Sequence, residues 1–330
     1  MAKIKRILSI DGGGIRGIIP ARILVSLEEK LQIASKNPNA RIADYFDLIA
    51  GTSTGGILTC LYLTPDERHF LQHDICRSAK NSLDLYLKYG GDIFESNILD
   101  KIENVDGLLS TKYSEKAFER ILLDKFKDLS LISLFKECLI TSYNINEDCT
   151  NFFTKKDALM NPDYNYLLRD VCRATSAAPT YFKPALIKSF AGNERTLIDG
   201  GVYAANPTMC ALTEVASEFA LGLTDVFIFS IGTGNVKSFY NYGSSKHWGE
   251  LAWIQPLINI MLDGSNILVD YQLKQLIGNK YIRINPELNT ASQNMDDASE
   301  INLQNLVQAG ELNAKAFDNE LNEVVKRIII

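Results

Sequence analysis

The sequence predicts an α/β fold in which a mostly parallel sheet lies between two layers of helices. Short apolar runs such as 4–10 and 225–231 alternate along the chain with longer helical patterns such as 17–34. Buried parallel strands appear as nearly continuous apolar runs because helices cover both faces of the sheet. Two glycine-rich turns also stand where a strand gives way to a helix. We therefore expect a three-layer α/β/α sandwich.

The other elements follow from apolar periodicity and from turn and capping residues. Strands are expected at 45–50, 137–143, 151–154 and 195–198, and helices at 54–63, 66–88, 114–126, 165–176, 249–276 and 301–325. Asn206 and Pro207 predict a further helix start, as N-cap and first-turn residue. Residues 286–299 suit a loop. We expect one domain, with a core over 5–235 and a helical extension over 236–330 packed on it.

Composition excludes several classes of protein. The 330 residues are 46% hydrophobic and 22% charged, and the net charge is −6. A nucleic-acid partner is not expected, because phosphate binding requires clustered Lys and Arg. Six cysteines without C-x-x-C spacing predict reduced thiols and no zinc cluster. No run of about 18 apolar residues is present, and Asp11 interrupts any signal-like N-terminal segment. The expected location is the cytoplasm, with export by a dedicated bacterial system left open.

The segment IAGTSTGG (49–56) contains the pattern G-x-S-x-G between a predicted strand and a predicted helix. This is the context of a nucleophile elbow, a strained turn that projects a serine hydroxyl from the C-terminal edge of a sheet. Side chains two positions either side of Ser53 would crowd such a turn, and both positions, Gly51 and Gly55, are glycine. The pattern predicts Ser53 as a nucleophile, although a purely structural turn would have the same spacing.

A second glycine-rich turn, ILSIDGGGIRG, follows the first predicted strand. Gly12, Gly14 and Gly17 fit the dinucleotide pattern G-x-G-x-x-G. The acidic residue that should end the next strand is missing, and so is the Lys-Ser/Thr of a P-loop. An oxyanion hole instead needs bare backbone N–H groups, which Gly13 and Gly14 could supply. Arg16 would steady this loop, meet a substrate phosphate or form a surface ion pair.

Asp199 is the third candidate, because it ends a predicted strand and is followed by Gly200 and Gly201. Parallel strands would bring Asp199 and Ser53 to the same edge of the sheet, where ligands bind in such folds. A carboxylate beside Ser53 could accept its proton as a general base. The ordinary aspartate pKa of about 3.9 suits this task poorly, and partial burial should raise it. Taken alone, Asp199 is also an ordinary turn residue.

Histidine, a frequent base for a serine nucleophile, occurs three times. His69 and His73 are four residues apart, but Phe70 stands where the zinc motif H-E-x-x-H requires Glu. His247 follows Ser53 and Asp199 in the chain order of α/β-hydrolases, yet no predicted strand leads into its loop-like surroundings. A triad with His247 therefore stands as the alternative to a dyad.

Together these motifs resemble the patatin-like phospholipases, a family of lipid acyl hydrolases that use a Ser-Asp dyad. The segments that carry the resemblance are DGGGIRG, GTSTGG, LLSTKYSEKAFERIL, LITSYNI, RATSAAPTYFKP, DGG and FSIGTGN. They span about residues 5–235, and the remainder is more weakly similar to a subset of bacterial members. The resemblance implies Ser53 as nucleophile, Asp199 as base and residues 12–14 as oxyanion loop. It also implies no catalytic histidine, metal or cofactor.

Three hypotheses follow, in this order. The first is a phospholipase A-type acyl hydrolase, a serine carboxylic-ester hydrolase that forms an acyl-enzyme. Its substrate would be a phospholipid or another acyl-ester lipid, reached by transient membrane contact, and an activator is left open. The second is another serine esterase, thioesterase or peptidase. The third is a nucleotide-binding or interaction protein that uses the glycine loop for phosphate.

The segment HWGELAWIQPLINIML (247–262) holds both tryptophans of the chain and a long apolar face. Tryptophan suits membrane interfaces, so this segment is a candidate lid or membrane contact. A core helix kinked at Pro256 is the favoured interpretation.

Overall fold

The described part of the chain is built around an eight-stranded sheet. The computed structural model describes residues 4–66, 76–94, 111–219, 225–235 and 240–329. Within these ranges the strands are β1 (Lys5–Ile10), β2 (Leu48–Thr52), β3 (Glu137–Asn144), β4 (Cys149–Thr154), β5 (Ala185–Lys188), β6 (Glu194–Asp199), β7 (Val226–Ile231) and β8 (Tyr281–Ile284). Their order is β5-β6-β3-β2-β1-β7-β8, and β4 also pairs with β3. The parallel part of the sheet consists of β3, β2, β1, β7 and β8, whereas β4, β5 and β6 pair antiparallel with their neighbours.

Helices cover both faces of this sheet. They are α1 (Ile18–Ser35), α2 (Ile42–Tyr45), α3 (Thr54–Leu63), α4 (Ala79–Phe94), α5 (Glu115–Phe126), α6 (Lys155–Met160), α7 (Leu168–Thr175), α8 (Gly201–Ala204), α9 (Thr208–Phe219), α10 (Tyr242–Ser245), α11 (Glu250–Ile277), α12 (Glu300–Ala316) and α13 (Asp318–Ile328). No helix in the part of the chain that the structure describes is long and apolar enough to cross a bilayer.

The hydrophobic core has two layers because successive strand residues point to opposite faces of the sheet. On β1, Leu8 packs into the larger layer with α1, α3 and α12, while its neighbour Ile7 packs into the smaller layer with α9 and α11. On β7, Phe229 and Ile228 divide in the same way. The predicted three-layer α/β/α sandwich is confirmed.

Most predicted elements are present, and the main differences are the following. Strand β2 begins at Leu48 because the preceding residues form the short helix α2. The helix predicted over 66–88 lies partly outside the described residues, and α4 occupies Ala79–Phe94. Strands β5 and β8, of four residues each, were not predicted. The helix predicted over 301–325 is two helices, since Phe317 ends α12 and precedes α13.

The segment after residue 236 shares the core of the protein. Its strand β8 extends the parallel sheet beside β7, and α12 packs along α1. It therefore contributes a strand as well as the helices expected from the sequence.

Candidate active site

Ser53 lies at the sharp turn between β2 and α3. Its backbone has φ 55° and ψ −122°, a conformation that a residue with a side chain adopts at a cost of about 1–3 kcal/mol. The turn is also very tight: a Cβ on Gly51 would lie 2.1 Å from the carbonyl oxygen of Gly55. A Cβ on Gly55 would lie 2.1 Å from the carbonyl oxygen of Ile10. The spacing G-x-S-x-G thus corresponds to a steric requirement of this turn.

Hydrogen bonds hold the strained turn in place. The Ser53 N–H donates to the Thr175 hydroxyl at 2.9 Å. That hydroxyl donates in turn to the carbonyl oxygen of Thr141 on β3 at 2.7 Å. The Ser53 side chain takes no part in these bonds and is partly exposed, so its hydroxyl is available for chemistry.

Asp199 reaches Ser53 by a different route from the one predicted. Strand β6 runs antiparallel to β3, and β4 occupies the other edge of β3. Thr52 at the end of β2 pairs with Thr141, while Asp199 at the end of β6 pairs with the next residue, Ser142. The C-terminal ends of β2 and β6 therefore meet head to head along β3. The expectation of parallel strands was wrong for β6, although the two residues do come together.

Burial sets the proton affinity of Asp199. Its side chain is 5% exposed, and loss of hydration raises its pKa to about 6. The Gly201 N–H, which donates to Oδ1 at 2.7 Å, and a hydrogen bond with the Ser53 side chain both act against this rise. Gly200 makes the turn possible, since a Cβ there would lie 2.1 Å from the Thr141 hydroxyl. The burial that the sequence suggested thus brings the pKa of the Asp199 carboxyl close to neutral pH.

The glycine loop faces Ser53 from the end of β1. A Cβ on Gly12 would lie 3.3 Å from the Cβ of Ser53. The Gly12 N–H donates to the carbonyl oxygen of Ala205 at 2.9 Å, so it is already engaged. None of the hydrogen bonds among the described residues uses the N–H of Gly13 or Gly14. Of the three predicted oxyanion donors, Gly13 and Gly14 therefore remain candidates, and Gly12 has a structural role in the loop.

Arg16 lies beneath this loop and is buried. Its Nε donates to the carbonyl oxygen of Gly13 at 3.4 Å, and loss of hydration lowers its pKa to about 10. Its Nη1 has no hydrogen-bond partner in the described ranges. The predicted surface ion pair is wrong, because the guanidinium is only 8% exposed and supports the loop from within.

Arg283, which sequence reasoning missed, holds the start of the loop. It lies on β8, and its Nη2 donates to Asp11 Oδ2 at 2.6 Å while Nη1 donates to the Ser230 hydroxyl at 2.7 Å. Both members of the ion pair are nearly inaccessible to water, with side-chain exposures of 6% and 2%. Strand β8 has only four residues, and Arg283 lies 272 positions along the chain from Asp11, so this contact was not predicted.

Two cavities meet at Ser53. The first is almost entirely apolar and runs between α3, α4 and α5; it is lined in part by Ile57, Tyr86, Ile93, Phe118 and Phe182. The second is a chamber of about 820 Å³ with mixed polarity, lined in part by Gly13, Arg16, Asp199, Asn259 and Asp263. Ser53 lines both. A substrate with one apolar arm and one polar arm fits this arrangement.

The described residues include one histidine. His247 is exposed between α10 and α11 and lines neither cavity. His69 and His73 lie outside the described residues. In the described ranges, no group of three or more His, Cys, Asp or Glu side chains is arranged to hold a metal ion.

Comparison with known proteins agrees with these motifs. The family model described as patatin-like phospholipase matches residues 8–212. "Patatin-2-Kuras 3" of Solanum tuberosum is 34% identical, an alignment that covers 94% of this chain and 84% of the relative. "Probable inactive patatin-3-Kuras 1" of the same plant is also 34% identical, over 94% of this chain and 86% of the relative. Among solved structures, VipD from Legionella pneumophila has a TM-score of 0.45 at 12% identity, covering 99% of this chain and 67% of that chain. The chain belongs to the patatin-like phospholipase family.

Proposed function

We propose that this protein is a phospholipase A-type lipid acyl hydrolase that acts through Ser53 and Asp199. One observation carries the proposal. The Ser53 hydroxyl faces a buried carboxyl whose pKa is about 6, beside two backbone N–H groups that no described hydrogen bond uses. Gly13 and Gly14 each line a cavity with Ser53, so these groups would supply the nucleophile, the base and the oxyanion donors of acyl transfer. Membership of the family supports lipid acyl hydrolysis, but one relative is named as inactive, so activity in this chain needs its own test.

Acylation follows from this geometry. Asp199, ionised near neutral pH, accepts the Ser53 proton as the serine oxygen attacks the ester carbonyl. The N–H groups of Gly13 and Gly14 receive the negative oxygen of the tetrahedral intermediate. Collapse of the intermediate expels the alcohol, which takes the proton from Asp199, and leaves the acyl group on Ser53.

Deacylation reverses these roles. Water replaces the alcohol in the chamber and gives its proton to Asp199 as it attacks the acyl-enzyme. The same two N–H groups stabilise the second oxyanion, and the fatty acid leaves as Ser53 recovers its proton. Throughout the cycle, the strained turn would keep the serine oxygen beside Asp199.

The two cavities support a lipid substrate. The apolar cavity beside Ile57 and Phe118 suits the first carbons of an acyl chain, because burying hydrocarbon there removes it from water. The chamber beside Arg16 suits the polar remainder of the molecule. The apolar cavity has a volume of about 70 Å³, so it would take the carbons nearest the ester, and membership of the family favours a lipid over a small ester.

The test is fatty-acid release from mixed phospholipid vesicles, with a chelator present. Ser53→Ala and Asp199→Asn should each lower the rate by at least about a thousandfold while the fold stays intact. His247→Ala is the matched control and should keep most of the activity, since His247 is exposed and lines neither cavity. Circular dichroism and thermal unfolding of all four proteins would verify folding.

Other outcomes have clear meanings. Full activity in Asp199→Asn would exclude the dyad, and near-total loss in a folded His247→Ala would favour a triad. If wild type releases no fatty acid, a soluble p-nitrophenyl acyl ester should be tried on the same samples. Equal rates for wild type and Ser53→Ala on both substrates would refute the proposal.

A further inference from the structure

Helix α11 exposes an unusual number of large apolar side chains. Ten of the 24 large hydrophobic residues that are exposed in the described part of the chain lie on this helix. Seven of them recur at helical spacing and form what we call the outer stripe: Trp253, Leu257, Ile260, Met261, Ile267, Leu268 and Tyr271, with exposures of 38–71%. Spacings of three, four and seven residues place these side chains on one face of the helix.

The outer stripe is additional to the face that anchors the helix. Val269, Leu273 and Ile277 point the other way and pack into the smaller core layer beneath the sheet. A surface helix ordinarily has one apolar face towards the core and a polar face towards water. Helix α11 therefore has an apolar surface beyond the one that folding uses, and the favoured prediction of a core helix over 247–262 was wrong for its outer side.

Charge and aromatic placement point to a lipid partner. No charged residue occurs between Glu250 and Asp263, a stretch that contains the first half of the outer stripe. At its N-terminal end, Trp253 packs edge-on against Trp248, with ring centroids 5.0 Å apart. Uncharged apolar surface suits the acyl region of a lipid layer, and tryptophan suits its boundary with water.

The outer stripe is continuous with the chamber that holds Ser53. Ile260, Met261 and Ile267 belong to the stripe and also line the chamber. On the chamber side α11 packs on α8, the short helix that follows Asp199. A Cβ on Gly201 in α8 would lie 3.3 Å from a terminal carbon of Leu262. The stripe thus borders the entrance that a lipid must use.

We propose that the outer stripe of α11 docks the protein on a phospholipid surface and places the chamber entrance against it. The proposal rests on the proposed function, because the lipid surface is the source of the substrate. A second copy of the chain on the same stripe would cover side chains that line the entrance. A lipid layer covers the same side chains while delivering substrate, so it is the occupant that the position of the stripe favours.

The experiment separates binding from hydrolysis. Binding is measured by co-flotation with phosphatidylcholine vesicles in a Ser53→Ala background, so that the lipid stays intact. Leu257→Glu with Leu268→Glu should weaken binding by at least about tenfold, because two side chains lose their apolar burial in the lipid. The matched control, Leu159→Glu with Leu312→Glu, adds the same charge at exposures of 63% and 45% elsewhere and should bind like its parent.

Activity gives a second measurement in proteins that retain Ser53. The paired α11 variant should lose fatty-acid release from vesicles and keep the wild-type rate on a soluble p-nitrophenyl ester, since neither changed residue lines the chamber. Leu257→Gln with Leu268→Gln provides a milder pair if the Glu pair unfolds. Vesicle binding unchanged in both pairs would overturn the proposal.

A dimer interface would give a different pattern. Light scattering would then show a wild-type dimer that the α11 variant splits, with no flotation of either protein, and this would also overturn the proposal. Failure of the proposed function is distinguishable, because it would appear as equal ester hydrolysis by wild type and Ser53→Ala. Vesicle co-flotation measures docking independently of the ester hydrolysis by wild type and Ser53→Ala.

Discussion

The glycine loop and the outer stripe of α11 border the same chamber but are built in opposite ways. The loop begins at Asp11, which is 1% exposed, and a buried arginine from another strand holds it. The stripe exposes between 38% and 71% of each of its side chains. Oxyanion donors are effective only when their positions are fixed before the charge develops. A surface that meets lipid needs apolar area more than fixed geometry, so under the two proposals these requirements are divided between the two regions.

This division has an energetic basis. The loop combines a buried ion pair, hydrogen bonds to neighbouring strands and backbone packed so closely that side chains do not fit. Changes there act through geometry and through the cost of unpaired buried groups. Changes on the outer stripe act through the apolar area that they remove. Their effect on vesicle binding should therefore increase with that area. Substitutions in the loop should instead have large effects on activity or stability.

The largest effect should come from Gly13→Ala. The new Cβ would lie 2.1 Å from the Thr233 hydroxyl oxygen and 2.6 Å from the Thr233 Cβ, so the loop must move. Displaced donors would miss the oxyanion, and kcat on a soluble ester should fall by about a hundredfold to a thousandfold. Gly91→Ala on α4 is the control, because no atom lies within 4 Å of a Cβ placed there. Normal kcat in Gly13→Ala would show that the loop is as tolerant as the stripe.

A smaller loss of activity should follow Arg283→Met, with a large loss of stability. Asp11 would keep a buried charge without its partner, which costs about 3–5 kcal/mol in comparable cases. We expect the free energy of unfolding, measured in urea, to fall by that order, and kcat to fall with little change in KM. The double variant Asp11→Asn with Arg283→Met removes the unpaired charge and should regain much of the stability.

The double variant also separates positioning from stability. If the ion pair positions the loop, kcat should stay low in the double variant even after stability returns. Recovery of both together would mean that Arg283 acts only on the fold.

These residues also show how far sequence reasoning reaches. Ser53 and the glycines around it were predictable, because the residues that form the turn and avoid steric clashes in it are close together in the sequence. Asp199 was predicted on the expectation that its strand is parallel to β2. In the structure Asp199 comes close to Ser53 because of the register in which β2 and β6 pair with β3. Arg283 could not be predicted, since β8 contributes only four residues from a distant part of the chain. For α11, periodicity predicted the helix, but it cannot tell which of two apolar faces the core will cover.

The pH dependence of activity tests whether the Asp199 carboxyl acts as the base. Since burial raises the pKa of Asp199 to about 6, kcat/KM should be level above that pH and fall about tenfold per unit below it. Histidine titrates in a similar range, so His247→Ala is the discriminating control. The acidic limb should remain in that variant, and its disappearance would assign the limb to His247.

The same shift predicts a stability effect of opposite sign. A carboxyl whose folded-state pKa exceeds its unfolded value contributes stability below the unfolded pKa, and that contribution is lost as pH rises through the folded pKa. For Asp199 the window runs from about 3.9 to about 6. Asp199→Asn should therefore be more stable than wild type at pH 7.5, by at most about 3 kcal/mol, with the difference shrinking towards pH 4. Urea unfolding at the two pH values measures it. A constant difference would show that burial of Asp199 carries no ionisation cost, and it would remove the reason for regarding this carboxyl as poised for proton transfer.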